Sequence, residues 1–145
     1  MISKTWRTSE RRYEVVVERD MSIPMGDGIK IDCDIFHPDA KGKFPAILGV
    51  HPFDKPSQSA PSMPKGFYLL NGSIEAGDSN FFVRRGYAHV VANVRGTGKS
   101  EGQFLNRGPR EVDDTYEIIE WIARQPWCDS NVGMFGVSYF AITQL

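Results

Sequence analysis

The sequence predicts an alternating α/β fold, in which a mostly parallel sheet is preceded by an antiparallel hairpin. Three observations carry this. Two continuous apolar runs, PAILGV at 45–50 and AHVVA at 88–92, suit strands covered on both faces, as in the middle of a parallel sheet. Near the N-terminus, strand-period alternation points to a hairpin, and capped helical patterns lie between the later strands.

In order, residues 13–18 (YEVVVE) form a short β-branched strand, and the turn Met25-Gly26-Asp27-Gly28 leads to a second at 29–36. There Ile29, Ile31, Cys33 and Ile35 alternate with Lys30, Asp32 and Asp34, so the hairpin is expected to keep one wet face. The third strand is 45–50 and the fourth 88–92. Between them, 52–79 holds Pro52, Pro56, Pro61, Pro64, Gly66, Gly72 and Gly77, too irregular for one element and long enough to suggest a functional loop. Ser79 and Asn80 are candidate caps of a short helix over 81–85 that Gly86 ends. The strongest helix spans 109–125: Pro109 and the acids Glu111, Asp113 and Asp114 mark its start, Val112, Tyr116, Ile119, Ile122 and Ala123 its apolar face, and Pro126 its stop. A strand at 131–135 (NVGMF) and a helical start at 139–145 complete a single domain without repeats.

Composition narrows the function. With 17 Lys and Arg against 18 Asp and Glu among 145 residues, 24% charged and 41% apolar, the chain is an ordinary globular one and not a disordered one. Cationic clusters no longer than Arg11-Arg12 argue against nucleic acid as a partner. No stretch reaches the roughly 20 apolar residues of a membrane span. The polar, charged residues 1–12 differ from a signal peptide, so a cytoplasmic location away from membranes is expected. Cys33 and Cys128 lack the spacing of a metal knuckle or redox pair and are expected as buried thiols.

Two segments could carry chemistry. Gly136-Val137-Ser138-Tyr139-Phe140-Ala141 follows one strand and opens a helix, the context of a nucleophile elbow, although Phe140 stands where a second glycine is usual. A serine capping a helix is the alternative, and the flanking strand and helix favour the nucleophile. A serine hydroxyl attacks a carbonyl only beside a base, and the N–H of Tyr139 is the natural first donor to a developing oxyanion. The second segment, Gly96-Thr97-Gly98-Lys99-Ser100, ends like a phosphate-binding loop. Its first required glycine falls on Asn93, however, and Glu101-Gly102 follows where a helix should begin. A glycine-rich turn with Arg95 paired to Asp113 or Asp114 is the preferred reading.

With these pieces in hand, the sequence resembles the α/β-hydrolases of the cocaine-esterase and X-prolyl dipeptidyl-peptidase type, the CocE/NonD hydrolases. The likeness runs from about Met25 to the last residue. It rests on Asp27-Gly28, on Pro52-Phe53-Asp54-Lys55, on the segment from Arg95 to Gly102, and on Glu120-Trp121-Ile122-Ala123-Arg124-Gln125-Pro126-Trp127 leading into Gly136-Val137-Ser138-Tyr139. It implies the N-terminal half of an α/β-hydrolase fold, cut after the elbow. It also implies an acyl-enzyme on Ser138, formed from a small-molecule ester or peptide with no cofactor or metal. In that family a tyrosine hydroxyl after the third strand makes a second oxyanion contact; the matching position here is Phe53, which has no donor.

In this fold an acid and a histidine follow the serine. Here residues 139–145 contain neither, and His37, His51 and His89 all precede Ser138. His37 and His89 are expected to be structural. His51, closing the third strand, is expected to line the pocket or orient its loop, a base role being the alternative. The chain is therefore expected to be part of a longer hydrolase, inactive and marginally stable by itself. A degenerate, ligand-binding module is the second reading.

Overall fold

The computed structural model describes residues 7–53, 55, 72–73 and 75–145. Its strands are β1 (Val15–Pro24), β2 (Lys30–Pro38), β3 (Phe44–His51), β4 (Gly72–Ser73), β5 (Gly77–Asp78), β6 (Ala88–Asn93) and β7 (Cys128–Met134); its helices are α1 (Ser79–Val83), α2 (Pro109–Ala123) and α3 (Tyr139–Ile142). Five strands form one sheet in the order β1-β2-β6-β3-β7. The apolar runs of β3 and β6 lie in its interior, as expected, paired parallel to each other, with β7 parallel on the far side of β3. The hairpin joins antiparallel on the other side, through β2 against β6. Most of the irregular stretch 52–79 lies outside the described residues.

The wet face expected of β2 is absent. Asp32 and Asp34 are 5% and 3% exposed, because the Lys55 amine reaches over them from the segment after β3, 2.9 Å from Asp32 and 2.8 Å from Asp34. Arg19 adds a 2.6 Å contact to Asp34, and Asp20 a 3.1 Å contact to Lys55 from the β1 bulge. Burial opposes the charge on Lys55, but its bonds to these carboxylates outweigh burial and raise its pKa. Alternation alone identified the face; the covering cation came from a distant segment.

Two further details differ from expectation. Asp78, one residue ahead of the expected caps, caps α1 by accepting the Asn80 N–H at 2.9 Å, while Ser79 turns inward to hydrogen-bond His89 at 2.8 Å. Helix α2 buries Asp114, Thr115, Ile118 and Ile122, whereas Val112 and Tyr116 are 70% and 64% exposed. The helix is turned because Arg95 takes Asp114 in a bidentate pair at 2.8 and 2.7 Å. The exposed Val112 and Tyr116, with the half-buried Ile119 that packs on the core, line an open groove of about 350 Å³ with Met134 and Ile142.

The glycine-rich turn after β6 is structural. Gly96 N–H donates to Glu101 C=O at 2.9 Å and Ser100 N–H to Thr97 C=O at 2.9 Å, closing the turn on itself. The Ser100 hydroxyl accepts from the Asp32 amide and donates to the Asn93 carbonyl. No helix begins there to present amides to a phosphate, and Arg95 bridges Asp114 to Asp27 of the hairpin turn. Cys33 and Cys128 are buried free thiols, as expected. Among the described residues no helix is long and apolar enough to cross a membrane.

Arg95→Met takes the bidentate partner from the buried Asp114 carboxylate and leaves it only the longer 3.5 Å contact to Arg110, so it should lower unfolding stability by about 3 kcal/mol, read from a urea midpoint, while Lys99→Ala on the exposed turn leaves the midpoint where it was. Burial holds His51 and His89 neutral in the fold, each with its pKa pushed down to about 4 from 6.5. Between those values the unfolded chain binds protons that the fold refuses, so stability should fall as pH drops from about 6.5 to about 4. Melting temperatures at pH 7, 5.5 and 4 check this; a flat profile overturns it.

Candidate active site

The elbow is assembled by β3 and the segment leading into α1. Beyond β7 the Phe135 N–H donates to the Leu48 carbonyl at 3.1 Å, and the Val137 N–H to the Glu75 carbonyl at 3.1 Å. Ser138 follows at φ 59° and ψ −127°, a disfavoured conformation for a residue with a side chain, and α3 starts at once. A Cβ on Gly136 would overlap Phe140, which explains the glycine two residues before the serine. Phe140, at the position where sequence analysis noted a missing glycine, is fully buried. It fits because Gly49 on β3 leaves it room: a Cβ there would lie 2.9 Å from the Phe140 ring.

Ser138 is exposed while Tyr139 and Phe140, its successors, are buried. Its carbonyl accepts the Ala141 and Ile142 amides, and the Tyr139 amide, first in the helix, has no intrahelical acceptor. The Tyr139 phenol turns the other way and donates to both oxygens of Glu111 on α2, at 2.7 and 2.8 Å. Burial first, and the hydrogen bond to Glu111 second, push its pKa up to about 12.

His51 and Phe53 sit beside this turn. The His51 ring is fully buried and stacked on Phe140, with centroids 4.7 Å apart. Its Nδ1 accepts the Phe53 amide at 3.2 Å, so the proton belongs on Nε2, which has no partner among the described residues. Among the described residues no hydrogen bond joins His51 to Ser138. Phe53 is half-buried, its ring 6.3 Å from that of Tyr139 in an edge contact and packed against both parts of the core. The Asn93 amide holds this turn by donating to the Phe53 carbonyl at 2.7 Å.

The other histidines lie apart: His37 bonds Glu18 at 3.0 Å and stacks on Trp127, and His89 is paired to Ser79. Ser138, Tyr139, Phe53 and His51, the candidates visible in the sequence, are brought by the fold to one end of β3 and β7. The parts of Gly49 and Asn93, and of Glu111 as the partner of Tyr139, show only in the fold. The glycine inside the apolar run PAILGV was the one available signal, since an interior strand glycine marks a close approach.

The chain is similar to known hydrolases in sequence and in fold. A cocaine esterase from Rhodococcus sp. is 38% identical over 128 residues, covering 88% of this chain and 20% of that protein. A crystal structure of a CocE/NonD family hydrolase from Staphylococcus aureus superposes with a TM-score of 0.77 at 34% identity, covering 90% of this chain and 24% of that one. An α-amino acid ester hydrolase gives a TM-score of 0.68 at 26% identity, over 97% of this chain and 24% of that one. The chain thus spans only about a fifth to a quarter of the length of these relatives. Residues 27–145 match the X-Pro dipeptidyl-peptidase (S15) family, and with the elbow lying inside that span the chain belongs to this family of α/β-hydrolases.

Proposed function

We propose that this chain supplies the nucleophile of a serine hydrolase acting on an ester or amide, of the acyl-ester or X-prolyl peptide type. One observation carries the reading: the solvent-exposed Ser138 at a strained strand-to-helix turn, between buried neighbours. The relatives support the substrate class, being an esterase, an amino acid ester hydrolase and, in Bacillus anthracis, a putative Xaa-Pro dipeptidyl-peptidase that is 29% identical over 121 residues.

In this mechanism Ser138 Oγ attacks the substrate carbonyl and its proton passes to a base. The new C–O bond leaves an oxyanion facing the Tyr139 N–H. Collapse expels the alcohol or amine, which takes up the proton, and water then hydrolyses the acyl-Ser138 ester. The acid and base of the triad are assigned to residues outside these 145. His37 and His89 are engaged elsewhere, and His51 is committed to the Phe53 amide. Phe53 serves as pocket wall. Without its base Ser138 is a poor nucleophile, so the isolated chain is inactive in this reading.

A second reading, a degenerate module that binds a ligand without turnover, has one observation in its favour. Phe53 offers no hydroxyl, and its own amide is spent on His51, so this residue donates nothing to an oxyanion. Loss of one such donor typically costs about 10²- to 10³-fold in turnover.

Treating the full-length protein with a fluorophosphonate separates the two. Labelling at Ser138 that disappears in Ser138→Ala is expected, together with hydrolysis of a p-nitrophenyl acyl ester by the full-length protein and none by the 145-residue chain. An unlabelled Ser138 overturns the hydrolase reading and leaves the binding module. Hydrolysis by the short chain that vanishes in Ser138→Ala would instead return the base role to His51.

A further inference from the structure

With Ser138 as the nucleophile, as proposed above, the tether between its turn and α2 bears on catalysis. Three contacts hold Ser138 in its disfavoured backbone conformation. On the strand side the Val137 amide is fixed to Glu75. Below, Phe140 is sealed between Gly49 and His51. On the helix side the contact is polar: the phenol of Tyr139, a residue only 8% exposed, donates into a carboxylate. That carboxylate is itself anchored, because Glu111 sits in the first turn of α2 and its Oε1 also accepts the Arg107 amide at 3.0 Å. Glu111 therefore fixes the residue directly after the serine to the N-terminal turn of a 15-residue helix, 28 positions away in sequence.

The Tyr139 amide and the Ser138 hydroxyl must meet the same carbonyl, from adjacent residues, within a few tenths of an ångström. A side-chain bond that sets the position of Tyr139 therefore sets both. We propose that Glu111 is a positioning residue for the acylation step: through the Tyr139 phenol it keeps the nucleophile and the oxyanion donor aligned. Glu111 touches no reacting atom, and Tyr139 acts twice, by its amide at the oxyanion and by its ring in holding that amide still.

The test is single-turnover acylation of the full-length protein by a p-nitrophenyl ester, normalised to fluorophosphonate-titratable Ser138, in Tyr139→Phe, Glu111→Ala, Glu111→Gln and the double variant Tyr139→Phe/Glu111→Ala. Tyr139→Phe and Glu111→Ala should each slow acylation by about 10- to 100-fold, the scale expected of a small misplacement, with substrate affinity within about twofold. The double variant should be no slower than the slower single, since both remove one bond. Glu111→Gln keeps a carbonyl acceptor and should lose less than Glu111→Ala. Unchanged acylation per titrated serine, with only the melting temperature lowered, overturns the proposal; so do losses that multiply in the double variant. Failure of the unsubstituted protein to label defeats the nucleophile reading itself, which keeps the two failures apart.

Discussion

The backbone of Ser138 is the constraint around which this part of the fold is built. A residue with a side chain at φ 59° and ψ −127° carries strain on the order of 1–3 kcal/mol, and such strain persists only where the surroundings leave the chain no alternative. Here they come from four segments: β3 beneath, the carbonyl of Glu75 beside β5, β7 leading in, and α2 through Glu111. The outcome is a division within three residues, with Ser138 in water and Tyr139 and Phe140 out of it. A serine hydroxyl displayed in this way cannot relax toward an ordinary helix cap without breaking contacts on every side.

The turn after β3 is secured by a different device. Asn93, the last residue of β6, binds the Phe53 carbonyl; His51 takes the Phe53 amide; and Lys55, two residues on, is held by carboxylates of both hairpin strands. These are buried polar groups, whose dehydration is tolerable only when each finds a partner. Asp34 illustrates the balance: burial alone would raise its pKa, and Lys55, the Asp20 amide and Arg19 together bring it below the usual carboxylate range. The hairpin, remote from Ser138 in sequence, thus contributes to the site by holding the loop that flanks it.

The interior place of β3 and β6 and the strand-to-helix turn at Ser138 were legible because each rests on local chemistry. Apolar runs without alternation marked β3 and β6 as interior, and a strand followed by Gly-x-Ser and a helical start marked the turn. What escaped was set by tertiary partners. Periodicity assigned Val112 and Tyr116 to the core face of α2, yet the Arg95–Asp114 pair turned that helix, a preference no hydrophobic pattern encodes. Likewise, Asp32 and Asp34 read as a solvated face because Lys55 lies 23 and 21 positions away. Glu111 was recognised as a first-turn acid, favourable near the helix N-terminus, and its second role needed the elbow to be placed in space.

Gly49 and Phe140 occupy one volume between them. Whichever position holds the bulk, the other must give it up, so across related sequences the two should vary together in size, a methyl or more at 49 accompanied by a slimmer side chain at 140. Any added bulk at 49 is then confined to paired exchanges, whereas a cavity under the turn opens by shrinking residue 140 alone, because glycine at 49 has nothing left to give up.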